Sequence, residues 1–141
     1  MIKYQAKFHE DGGRFWAEFP DLPGCFAQGA TRAACLEAAR EALSLFLEEA
    51  RDPQWRVPKP RERKGRAYVW VRPEESVGVP LMIRQARLGL GLTQRQLAER
   101  IGITVQQLQK LETPRKSNPT VRMLSVISKA LNGDLEISLV A

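Results

Sequence analysis

Two copies of the pattern Thr-x-x-Gln stand eleven residues apart, Thr93 to Gln96 and Thr104 to Gln107, and they limit the fold more than any other feature of the chain. A threonine that covers the amide three residues on, with a glutamine there reaching back to the threonine amide, is a capping box and opens a helix. The interval between two such starts holds one short helix and a tight turn. Gly102 falls at that turn, where a left-handed backbone costs other residues energy, and Ala98 is small where the two helices would cross. Leu97, Ile101, Ile103, Leu108 and Leu111 seal the unit from within. What is left facing outward on the second helix is Thr104, Val105, Gln106, Gln109 and Lys110.

Short, amide-bearing and cationic side chains suit a major groove: Gln pairs with adenine, Lys reaches guanine, and Val touches a thymine methyl. Gln94 and Arg95 open the first helix of the pair and Arg115 and Lys116 follow the second, where they are expected to meet phosphates and set register. The charge distribution agrees. Residues 1–51 carry six Lys/Arg against eight Asp/Glu, residues 52–79 seven against four, and residues 80–141 nine against four. The excess behind the net charge of +6 therefore lies C-terminal, beside the helix pair.

At 141 residues the chain holds one ordinary domain or two small ones. The front half has a different period from the back. Ile2, Tyr4, Ala6 and Phe8 alternate with Lys3, Gln5, Lys7 and His9; Glu10-Asp11-Gly12-Gly13 is a turn; Phe15, Ala17 and Phe19 resume the alternation. This predicts a hairpin. Pro20 to Gly24 breaks the second strand, Cys25 to Gln28 is a short third one, and from the N-cap Thr31 a helix presents Cys35, Leu36, Ala39, Ala42, Leu43, Phe46 and Leu47 as one apolar stripe. Asp52 to Gly65, with three prolines and a charge run, reads as an extended connector rather than packed structure. Ala67 to Val71 is a strand returning to the first sheet, and Pro73 to Pro80 reads as a hinge before a helix from Leu81 to Leu88. Asn118-Pro119 is expected to start a last helix, and Leu135 to Val140 alternates as a final strand.

No apolar run approaches the roughly 20 residues of a membrane-spanning helix, and no signal-peptide h-region opens the chain, so a cytoplasmic protein is expected. Cys25, Cys35 and His9 cannot complete a tetrahedral Cys/His site within one chain, and no metal or cofactor is expected. A nuclease would need carboxylates gathered around magnesium. Glu10, Asp11, Glu18, Asp21 and Glu37 carry no metal-site spacing, and the expectation is a protein without enzymatic activity.

Leu92-Thr93-Gln94 through Leu111-Glu112 is similar to the phage-repressor (Xre/Cro) helix-turn-helix family, whose motif reads L-T-Q-x-x-L-A, then G-I/V, then L-E. It departs from that family at Thr113-Pro114, where a polar residue and Gly are usual; a proline changes the exit from the second helix. The front half, Phe19-Pro20-Asp21-Leu22-Pro23-Gly24-Cys25 followed by Gly29-Ala30-Thr31 and a helix, resembles the HicB antitoxin family. That resemblance implies a reduced ribonuclease-H-like domain that binds and masks a HicA-type mRNA-cleaving toxin, and a C-terminal domain that represses the shared operon. Trp16, Asp21, Leu22, Pro23 and Phe26 are the candidate toxin contacts, and an acidic front half suits a basic, RNA-binding partner.

The expected architecture is α+β: residues 1–79 form the partner-binding domain and residues 80–141 a helix-turn-helix DNA-binding domain. A single helix-turn-helix contacts few bases, so a homodimer on a palindromic operator is expected, with the strand carrying Leu135, Ile137 and Leu139 as its seam. A stand-alone dimeric regulator, its front domain binding a small ligand or only dimerising, stays open as the alternative.

Overall fold

In the computed structural model, which describes residues 1–140, β1 (Tyr4–Asp11) and β2 (Arg14–Glu18) pair antiparallel with Asp11 opposite Arg14. Only Gly12 and Gly13 remain for the turn, at φ +59° and +78°, the positive angles that a two-residue hairpin of this twist demands. β3 (Phe26–Gly29) adds antiparallel to β2, and β4 (Tyr68–Val71) returns antiparallel to the free side of β1, giving the order β3-β2-β1-β4. α1 (Arg32–Glu48), capped by the Thr31 hydroxyl accepting from the Ala34 amide at 3.1 Å, covers one face. Tyr4, Ala6, Phe8, Ala17, Ala27 and Val71 pack beneath Cys35, Ala39, Leu43 and Leu47. The buried ridge of α1 is this row at spacing four, with Ser44 buried beside Leu43. Leu36 and Phe46, expected within the stripe, lie at its exposed margins.

The connector is irregular but not loose. Trp55 and Val57 pack against the first core, and the Tyr4 hydroxyl donates to the Pro58 carbonyl at 2.5 Å. Gln5 clasps the backbone of Arg63 from both sides, accepting from its N–H at 2.6 Å and donating to its carbonyl at 3.1 Å. Asp21 takes both guanidinium nitrogens of Arg63 at 2.9 and 3.1 Å and the Arg61 amide at 2.9 Å. The expectation of an unpacked tether is corrected: buried polar groups at one end of the sheet need partners, and the strap supplies them. Burial, then the Asp21 charge, pushes the Tyr4 phenol up to about 12, while the Arg63 hydrogen bonds hold the Asp21 carboxyl below its usual range. A raised phenol pKa contributes stability that is complete below about pH 10 and lost as pH rises to about 12. A depressed carboxyl contributes stability that is complete above its ordinary value of 3.8 and lost on acidification below it. Thermal unfolding should therefore show a plateau from about pH 5 to 9 from these two groups, with an alkaline fall that tracks tyrosinate absorbance; Tyr4→Phe should remove the part of the alkaline fall due to Tyr4.

α2 (Glu75–Gly89) starts well before Leu81, where a helix is expected after a hinge, and holds Pro80 inside it. A proline has no N–H for the carbonyl four residues back. The Ser76 carbonyl left free here accepts instead from the Arg115 amide at 2.8 Å, so the helix continues through the proposed boundary between residues 79 and 80. Val77 and Leu81 belong to the core under the sheet, and Arg84 and Arg87 in the second half of α2 reach both Glu112 and the Ala50 and Pro53 carbonyls. α3 (Gln94–Ile101) and α4 (Val105–Leu111) cross over Leu97, Ala98 and Leu108, with α5 (Val121–Ala130) alongside. Thr120, not Asn118, caps α5: its hydroxyl accepts from the Met123 amide at 3.0 Å, and Pro119 stands before the cap. Leu135 to Val140 forms no strand. A strand exists only when paired, and among the described residues nothing pairs with it. Ala141 lies outside the described residues.

Candidate nucleic-acid interface

Both capping boxes close as the sequence predicts. The Thr93 and Thr104 hydroxyls each accept from the amide three residues on at 3.1 Å, and Gln96 and Gln107 return to the threonine amides at 2.9 Å. Gly102 ends α3 at φ +75°, and the Ile103 amide reaches back to the Ala98 carbonyl at 3.0 Å. These local devices fix the angle between α3 and α4 and thereby decide what α4 shows. Leu108 points in; Gln106, Gln109 and Lys110 point out and are exposed. Val105 is corrected from reader to scaffold: it is half-buried against the Leu97, Ala98 and Leu108 cluster, since the first residue after the cap leans back onto α3. Thr104 is exposed, with its hydroxyl oxygen already engaged in the cap.

Of the residues expected at phosphates, Arg95 and Lys116 are exposed and form no ion pair among the described residues. Gln94 is partly withdrawn, because its amide donates to Glu112 Oε2 at 2.8 Å. Arg115 is elsewhere. Its Nε donates to Glu48 at 2.7 Å, Nη1 donates to Glu74, and the Ser76 hydroxyl lies 3.3 Å away. The two carboxylates, Glu48 first, hold its guanidinium above its ordinary pKa. The proline at 114 turns the chain back toward α1 and α2, so the expected phosphate contact is corrected to a link with the N-terminal part.

A buried network under α4 escaped the sequence reading. Arg87, fully buried, clamps the Glu112 carboxylate through Nε at 2.6 Å and Nη2 at 3.1 Å, and also donates to the Leu92 and Pro53 carbonyls at 2.8 and 2.9 Å. Arg84 bridges the carbonyls of Ala50 and Glu112 at 2.8 and 2.9 Å, and burial lowers its pKa. The signal was present: two arginines three residues apart, Arg84 and Arg87, interrupt an otherwise apolar helix face.

The candidate toxin contacts divide. Leu22 is 1% exposed, folded under the turn in which the Leu22 amide meets the Phe19 carbonyl and the Cys25 amide meets the Leu22 carbonyl, so it is corrected to core. Asp21 is committed to the strap. Pro23, Trp16 and Phe26 are exposed, Phe26 at 69%. The sheet face turned away from α1 is aromatic and cationic: the His9 ring stacks on Trp16 at 3.9 Å, Lys7 stands over Tyr68 at 5.9 Å, and Lys3 stands over Trp70 at 4.5 Å. Leu135, Ile137 and Leu139 are all exposed on the terminal segment, Leu139 at 98%. No helix among the described residues is long and apolar enough to cross a membrane, and no group of His, Cys, Asp and Glu among them could hold a metal ion.

The helix-turn-helix family matches residues 83–137. Antitoxin HicB 1 of Photorhabdus laumondii is 32% identical over 130 residues, covering 92% of this chain and 81% of its own length. Antitoxin HicB of Escherichia coli K12 is 26% identical over 128 residues, covering 91% of each. Among solved structures, a chain of a HicA3 and HicB3 toxin-antitoxin complex is 22% identical, with 52% of this chain and 99% of that one covered at a TM-score of 0.42. With a sheet-and-helix front domain, a built helix-turn-helix behind it and a relative this similar over nearly the whole length, the chain belongs to the HicB antitoxin family and carries a C-terminal helix-turn-helix domain.

Proposed function

We propose that the protein binds and masks a HicA-type mRNA-cleaving toxin through its N-terminal domain and, as a homodimer in the cytoplasm, represses its own operon through α4. The observation that carries the DNA half is the outward strip of Gln106, Gln109 and Lys110 on α4, whose capping box and that of α3 fix the helix pair, with Arg95 exposed on α3. Two amides and an ammonium on one short helix match the donor and acceptor edges of a major groove. Membership of an antitoxin family supports the toxin half, with Trp16, Pro23 and Phe26 as the exposed contacts. Leu135, Ile137 and Leu139 remain the proposed seam: pairing with a second copy would supply the ladder and cover that the single chain lacks.

Gel shifts on the promoter upstream of the gene test the first half. Gln106→Ala and Lys110→Ala should each weaken operator binding by about 1–3 kcal/mol and relax the preference at particular base pairs, whereas Arg95→Ala should weaken all duplexes alike and lower the salt dependence. Equal losses on operator and random DNA for both kinds of variant would refute the assignment of readers. Copurification with the product of the adjoining small reading frame tests the second half; a stable dimer that binds no such partner favours the stand-alone regulator. A chain cut after Gly133 should lose the dimer.

A further inference from the structure

α4 is held at its exit as firmly as at its start, and the holding points lie outside the helix-turn-helix. Arg115 follows the helix by a few residues with φ +68°, a left-handed angle that a side-chain-bearing residue keeps only when its surroundings over-determine it. Its amide fills the Ser76 carbonyl that Pro80 leaves free, and its guanidinium reaches Glu48, the last residue of α1, and Glu74, the cap of α2. One exposed ion pair would hold little. Here a single side chain joins two carboxylates on separate elements, its backbone adds a hydrogen bond, and Pro114 beside it is buried.

We propose that Arg115 is a positioning residue: by anchoring the exit of α4 to Glu48 and Glu74, it lets the partner-binding domain set the pose of the recognition helix without touching DNA. The inference rests on the DNA-reading role of α4 proposed above, and it makes a prediction opposite in sign to that of a phosphate contact. Were Arg115 a DNA ligand sequestered by Glu48 and Glu74, removing those carboxylates would free it and raise affinity. If it is an anchor, the same change lowers operator affinity, against the general electrostatic gain from deleting two negative charges.

The test uses the full-length protein and the double variant Glu48→Gln/Glu74→Gln, with circular dichroism as the check on folding. Spin labels at Glu37→Cys in α1 and Gln109→Cys in α4, the two native thiols being buried, report the spread of distances between the two parts. The same carboxylate substitutions in the unlabelled protein report binding. The expected result is a broader distance distribution, operator affinity lower by roughly tenfold, and random-duplex affinity within about twofold of the parent. Arg115→Lys, which keeps the charge but loses the two-pronged geometry, should fall between. A distribution as narrow as the parent's, or operator affinity that rises, overturns the proposal. If the parent protein itself prefers no operator over random DNA, the reading of α4 fails, and the distance widths still decide whether Arg115 anchors it.

Discussion

Glu112→Ala is expected to destabilise the fold by about 3–5 kcal/mol, the cost of leaving one member of a buried ion pair without its partner. Glu112 is 1% exposed and its carboxylate takes three donors: Arg87 Nε at 2.6 Å, Arg87 Nη2 at 3.1 Å and the Gln94 amide at 2.8 Å. Removing it strands a guanidinium that has no exposed surface. The loss should show as a lower urea midpoint with little change in slope. Arg87→Met with Glu112→Leu should recover part of it, since apolar replacement removes both desolvation penalties together. Recovery should stay incomplete because the Leu92 and Pro53 carbonyls also lose a donor. A Glu112→Ala protein within about 1 kcal/mol of the parent would show that the pair contributes far less than its burial implies. Because Glu112 caps α4 and touches Gln94 in α3, the same variant should also loosen α4.

What was legible in the sequence is what short-range physics decides. Thr93, Thr104, Gly102 and the glycine pair Gly12-Gly13 act within a few residues, so their consequences can be read from adjacent positions. The alternation of β1 and β2 is likewise local. The return of Ala67 to Val71 to the sheet is a long-range pairing, expected only because a hairpin with one helix buries too little to stand alone. Individual side-chain contacts across long stretches of chain were not legible. Nothing near Asp21 announces Arg63, and nothing near Arg115 announces Glu48. Charged residues in loops look alike in sequence whether they face a polyanion or a neighbouring element. Pro80 misled for a related reason. Its missing N–H argues for a break, and only the distant Arg115 amide makes a continuous helix affordable. In the outward strip of α4 the error was one of angle: Val105 and Gln106 are adjacent, and the pitch of a seven-residue helix against α3 decides which of them turns inward.

Gly29→Ala should cost about 3 kcal/mol, the upper end of the usual range for overpacking. Gly29 closes β3 just before the Thr31 cap, where the strand meets the first turn of α1. A methyl group there would stand 2.5 Å from the Cys35 amide nitrogen, 2.8 Å from the Ala34 carbonyl carbon and 2.9 Å from the Cys35 Cα. All three atoms are backbone, so no side-chain rotation relieves the clash, and β3 must move off the helix. The glycine's own φ is not in the left-handed region, which makes the effect one of space alone. Gly89→Ala is the matched control: nothing lies within 4 Å of the added atom at the end of α2, and its effect should stay within about 1 kcal/mol of zero. Thermal melts that placed the two variants together would show that β3 and α1 do not meet at these distances. Displacing β3 also moves Phe26. Under the proposed role of Phe26 as a toxin contact, partner affinity should fall further in Gly29→Ala than loss of folded protein alone explains, while Gly89→Ala binds as the parent does.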